Sequence, residues 1–154
     1  MSPSADSPAA QPAGPDLQPL LPRPENPCFG CGGANPRGMQ LTFQQDHAQR
    51  RIRGRFVLGP AYQGSGGMAH GGIIAVLVDE AMGKLARFEQ VRAVTAELRI
   101  EYLRPTPVDA EIVVEAEAVE RQGRNLFQRA EIRSAAGEVL VRAQGRFVVI
   151  APAR

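Results

Sequence analysis

His70-Gly71-Gly72-Ile73-Ile74-Ala75-Val76-Leu77-Val78-Asp79-Glu80 is the stretch on which the fold assignment turns. A His-Gly-Gly turn runs into an apolar segment, and a carboxylate follows nine residues after the histidine. The first backbone N–H groups of a helix have no partner within it, so such a start can hold a developing negative charge. A carboxylate on a mostly apolar helix is costly to bury and calls for a partner or a role. Gly72, Ala75, Met82, Gly83 and Ala86 stand three, four or seven residues from Asp79, so its face of the helix is small as well as apolar. Small side chains let a backbone or a ligand come close. Glu80 stands four residues before Lys84, the favourable order for a surface ion pair, and is read as solvated. The pattern predicts a helix over residues 71 to about 88.

Outward from this helix the period changes from helical to alternating. Residues 39–45 and 51–58 alternate as strands on the N-terminal side, followed by a glycine-rich loop over 59–69. On the other side, residues 94–104 place Val94, Ala96, Leu98, Ile100 and Tyr102 inward and Thr95, Glu97, Arg99 and Glu101 outward. Pro105 and Pro107 end this strand. Residues 110–121, 126–133 and 138–150 alternate again, with turn chemistry at Gln122-Gly123-Arg124-Asn125 and Ala135-Ala136-Gly137. Short connections make the last three strands antiparallel neighbours. The class is α+β, with one antiparallel sheet covering one hydrophobic helix.

The 154 residues suit a single domain with a real core. Residues 1–26 are rich in Pro, Ala and Ser and are expected to be a flexible tail, with docking of Leu20 and Leu21 as the alternative. The domain is expected over 27–151. A formal net charge of +2 gives no electrostatic case for nucleic acid or acidic membranes. No apolar run is long enough to span a bilayer, and the start lacks the pattern of a secretory signal. With two cysteines in addition, the chain is expected in the cytoplasm with reduced thiols.

An acid near an anion-holding turn suits hydrolysis of an acyl group. At this point the chain resembles the hotdog-fold acyl-CoA thioesterases, in the branch similar to the phenylacetic-acid-pathway thioesterase. The resemblance covers about residues 28–150 and centres on His70-Gly71-Gly72 with Leu77-Val78-Asp79-Glu80-Ala81-Met82-Gly83. Supporting matches are Cys28-Phe29-Gly30-Cys31-Gly32 with Asn35-Pro36-Arg37-Gly38-Met39, then Val94-Thr95 through Tyr102 to Pro105, then Arg121-Gln122-Gly123-Arg124. It implies the hotdog fold, a long central helix wrapped by an antiparallel sheet of five to six strands. It also implies a homodimer joined sheet edge to sheet edge, with active sites at the subunit interface and pairing of two dimers into a tetramer. The family's catalytic carboxylate maps onto Asp79, as general base or nucleophile. Its oxyanion donor maps onto the Gly71 or Gly72 N–H of the opposite subunit, and its water-placing hydroxyl onto Thr95. His70 either orients a substrate carbonyl or caps the loop against the helix. Many relatives carry an asparagine in the loop before His-Gly-Gly; here Gln63 is the closest substitute.

The expected substrate is an acyl-CoA, with Arg104, Arg121 and Arg124 as candidates for the CoA phosphates, since a guanidinium grips phosphate bidentately. The alternative is a non-catalytic acyl-CoA-binding hotdog protein, which has no need of a carboxylate beside the thioester. No cofactor is expected. Nor is a metal: zinc generally takes four ligands, and only His47 and His70 are available to join Cys28 and Cys31, so the pair is read as a knuckle-like turn.

Overall fold

The computed structural model describes residues 16–154. Helix α1 (Gly71–Gly83) buries Ile74, Leu77, Val78, Ala81 and Met82, the spacing that gives a helix one apolar face. The winding then tightens to a 3₁₀ helix over Lys84–Glu89, so the expected helix is present in two windings. Gln90 ends it in the left-handed region, with φ at 53°.

Among the described residues seven strands form one antiparallel sheet around α1: β1 (Leu17–Leu20), β2 (Phe43–Asp46), β3 (Arg51–Val57), β4 (Val91–Tyr102), β5 (Glu111–Gln122), β6 (Asn125–Ser134) and β7 (Val139–Pro152). Their order across the sheet is β1-β2-β3-β5-β6-β7-β4. The count exceeds the expected five to six through β1, which pairs with β2 from Leu17↔Asp46 to Leu20↔Phe43. Pro19 is tolerated there because an edge strand need not donate from every backbone nitrogen. Of the segment expected to be a tail, residues 1–15 lie outside the described residues, while Leu20 packs against the core.

The inner face of the sheet closes over the helix with Phe43, Ile52, Phe56, Ile112, Val114, Ile132, Val141 and Phe147, all nearly inaccessible to water. The rings of Phe43 and Phe56 meet edge to face at 5.2 Å. The outer face carries a ladder of charges: Arg51 and Arg53 share Glu115 at 2.6 and 2.7 Å, and Glu131 accepts from Arg142 at 3.3 Å. Opposite charges across neighbouring strands keep that face in water.

Two sequence expectations are revised. Residues 39–42 are not strand, because their N–H groups are used elsewhere: Met39 donates to the Phe29 carbonyl and Leu41 to that of Gly30, at 2.8 and 2.9 Å. In β4 the simple alternation breaks. Thr95 pairs with Phe147 and Glu97 with Arg146, leaving Ala96 as an extra residue in a bulge. Phe147 faces the core, so Thr95 turns its hydroxyl toward the helix while staying exposed. Val94, expected inward, is 49% exposed. After the bulge Leu98, Ile100 and Tyr102 stand opposite Gly145, Ala143 and Val141 on the helix side, as expected.

Leu77 has no exposed surface and lies midway along α1. Leu77→Ala is expected to lose about 2–5 kcal/mol of stability, measured as a lower midpoint in urea unfolding with little change in slope.

Candidate active site

Asp79 leaves α1 on its narrow face and meets β4 at the bulge. The Thr95 hydroxyl donates to Asp79 Oδ1 at 2.7 Å. Burial pushes the Asp79 carboxyl above the usual carboxylate range; the Thr95 hydrogen bond opposes this, and the neighbouring Glu80 charge adds to it. The result is a half-buried acid of raised basicity, oriented by one donor and with its second oxygen free of any hydrogen bond among the described residues.

The helix start is built separately. His70 is the N-cap, and its Nδ1 accepts the Gly72 N–H at 2.9 Å. The His70 carbonyl takes the N–H groups of Ile73 and Ile74. Gly71 N–H has no hydrogen-bond partner among the described residues. The Gly71 carbonyl accepts from the Tyr102 hydroxyl at 2.7 Å, which ties the end of β4 to the first turn of the helix. A loop brace completes the turn: His70 N–H donates to the Tyr62 carbonyl and Ala69 N–H to that of Thr106. Gly71 and Asp79 are eight residues apart, so they sit roughly 12 Å from one another along the axis at about 1.5 Å per residue. One chain therefore does not bring its own helix start and its own acid to one carbonyl.

Gln63 lies in the exposed loop, bridged through its backbone to Ala69 beside His70. The three candidate arginines are not gathered. Arg104 follows β4 at the end where the helix begins, paired with Glu138 at 3.4 Å. Arg121 and Arg124 sit at the opposite end, where Arg121 pairs with Glu89 at 3.4 Å and Arg124 donates to the Val149 carbonyl.

A second cluster lies on the far side of Asp79's neighbour. The Cys28 thiol donates to Glu80 Oε1 at 3.4 Å, and Lys84 holds Glu80 Oε2 at 3.3 Å. Burial, reinforced by the bond to Glu80, pushes the Cys31 thiol up to about 12. The expected i,i+4 pair is present, but Glu80 and Lys84 are each only 16% exposed, so Glu80 is not a solvated residue. Tyr102 and Glu80 are the two residues that sequence reasoning does not place in or beside a site. For Glu80 a signal existed: Gly30 in the Cys-x-x-Cys turn lies flat against its side chain, where a Cβ would collide at 2.5 Å.

A carboxyl whose folded-state pKa is raised is less stable charged in the fold than in the unfolded chain. That penalty is present at neutral pH and vanishes below the unfolded carboxylate value of about 3.9. Asp79→Asn is thus expected to raise Tm at neutral pH, with the gain shrinking as the pH is lowered toward that value. Differential scanning calorimetry across this range checks it.

Comparison with known proteins adds an independent line. Residues 66–141 match the family model for the Thioesterase superfamily. The acyl-coenzyme A thioesterase THEM4 of Xenopus laevis is 30% identical over 97 residues, covering 63% of this chain and 44% of that protein. The chain thus spans about half the length of the curated relatives it matches. A crystal structure of a thioesterase superfamily protein superposes with a TM-score of 0.73 at 29% identity, covering 79% of this chain and 60% of the other. A protein from Bacillus halodurans, solved with CoA, gives 0.60 at 29% identity, covering 65% and 68%. With its central helix wrapped by an antiparallel sheet, the chain is a hotdog-fold member of the thioesterase superfamily.

Proposed function

We propose that the protein hydrolyses an acyl-CoA thioester to a free acid and coenzyme A. The observation that carries this reading is Asp79, a half-buried acid of raised basicity fixed by Thr95 on a mostly apolar helix. Asp79 either takes a proton from the attacking water or attacks the thioester carbonyl itself. The oxyanion that forms is met by Gly71 N–H, since Gly72 N–H is already used by the His70 cap. His70 fixes the turn that presents this donor, and Gln63, bridged through its backbone to Ala69, is the nearby side-chain amide available to orient the carbonyl.

The roughly 12 Å between Gly71 and Asp79 within one helix supports a site shared between two protomers. Strand β4 supplies the means. It is twelve residues long, lies at the end of the sheet, and has β7 as its one neighbour among the described residues. Pairing of β4 with its copy across a two-fold axis joins the sheets and satisfies that edge. It sets the helix start of one protomer against the acid of the other. A tetramer forms when two such dimers pair. The CoA phosphates are met either by Arg104 or, at the opposite end of the sheet, by Arg121 and Arg124, and the CoA in the Bacillus halodurans structure supports that substrate class. No helix among the described residues is long and apolar enough to cross a membrane. The free thiols of Cys28 and Cys31 accord with a cytoplasmic setting.

Asp79→Ala is expected to lower the release of free thiol from a panel of short, medium, long and aromatic acyl-CoAs by about 10²–10⁴-fold, with far-UV circular dichroism unchanged. Wild-type turnover in that variant overturns the assignment. A wild-type protein that binds acyl-CoAs tightly yet releases no thiol is a binding module instead. Thr95→Val removes the donor that favours the charged acid. The acid limb of the kcat/KM profile is then expected to move to higher pH.

A further inference from the structure

Cys28, Cys31 and Glu80 form the group of metal-ligating side chains that the thioesterase reading leaves unused. One ligand atom from each lies within 4.8 Å of the others. We propose that these three residues bind a zinc ion, with water in the fourth position, and that the ion staples the N-terminal turn to helix α1.

The donor set is the first reason. Thiolate sulfur selects zinc over the hard cations, and a carboxylate completes zinc sites readily. At bond lengths of about 2.3 Å to sulfur and about 2.1 Å to oxygen, ligands on a tetrahedron stand roughly 3.6–3.8 Å apart. Cys28 Sγ and Glu80 Oε1 are already 3.4 Å apart. Only a small adjustment is needed around an ion.

The surroundings are the second reason. Asn26 accepts the Cys28 N–H at 3.0 Å through Oδ1 and directs its amide nitrogen toward the Cys31 sulfur at 4.0 Å. The same side chain thus sets the turn and offers a donor to a thiolate. Gly32 N–H closes the turn on the Cys28 carbonyl at 2.9 Å. Glu80 uses its two oxygens differently: Oε1 faces the thiols while Oε2 is held by Lys84. A ligating carboxylate with its second oxygen anchored is the usual arrangement of a supported metal site. Charge also balances, since the dication and the Lys84 ammonium together match two thiolates and one carboxylate. On binding, two S–H bonds break, their protons pass to solvent, and two Zn–S bonds form.

Sequence reasoning looks to histidines to complete the pair. The third ligand is instead a carboxylate 52 residues beyond Cys28, brought in by the packing of the turn on α1.

The test uses the full chain, stripped with a chelator and titrated with zinc, then with cobalt(II). One equivalent of zinc, a rise in Tm on binding, and a thiolate-to-cobalt charge-transfer band are expected. Cys28→Ser and Glu80→Gln should lose the equivalent, Lys84→Met should weaken zinc about 10–100-fold, and His70→Ala should retain it. The proposal fails if the wild-type chain takes up no stoichiometric zinc. It also fails if the charge-transfer band is absent, or if Cys28→Ser keeps its zinc. The band and the stoichiometry are read on the unaltered chain, so the test stays decisive even where a variant does not fold. None of these readouts depends on acyl-CoA hydrolysis.

Discussion

The hydrogen bond from Thr95 to Asp79 joins the buried helix to the last strand of the sheet, the two parts on which the proposed chemistry rests. It exists because β4 is bulged at Ala96. Without that extra residue the hydroxyl would face solvent with Glu97 and Arg99. A β-bulge re-aims side chains at small cost, and here it places one polar group on an otherwise apolar inner face. The acid it reaches is disfavoured in its charged form by burial. The fold thus tolerates a group destabilised in its charged form, and the large apolar core around α1 offsets it.

Much of this was legible in the sequence, for identifiable reasons. Helix α1 announced itself through a 3.6-residue period, a capping histidine and two glycines. The three C-terminal strands followed from alternation and turn residues, because each has one wet and one dry face. Asp79 stood out because its neighbours at helical spacing are small and carry no cation.

The parts that were missed share a physical cause: each depends on contacts between segments distant along the chain. Ala96 reads as one more inward residue, and only the pairing with β7 shows it as a bulge. Leu17–Leu20 has a composition suited to disorder, and it becomes a strand by bonding to β2. Glu80 had a satisfactory local partner in Lys84, so its burial beneath the cysteine turn was hidden. Residues 39–42 alternate like a strand, yet their backbone is spent on that same turn.

Among the described residues the two borders of the sheet are unequal, and under the proposed pairing of β4 this limits how far copies of the chain can add to one another. Strand β1 is four residues long and carries Pro19, which denies a newcomer one of its few rungs. Strand β4 is three times that length and unbroken by proline. A ribbon sticky on both borders grows without end; one that is blunted on the first and receptive on the second stops at a pair. In that pairing the four residues of β1 would act as a terminator against fibre growth.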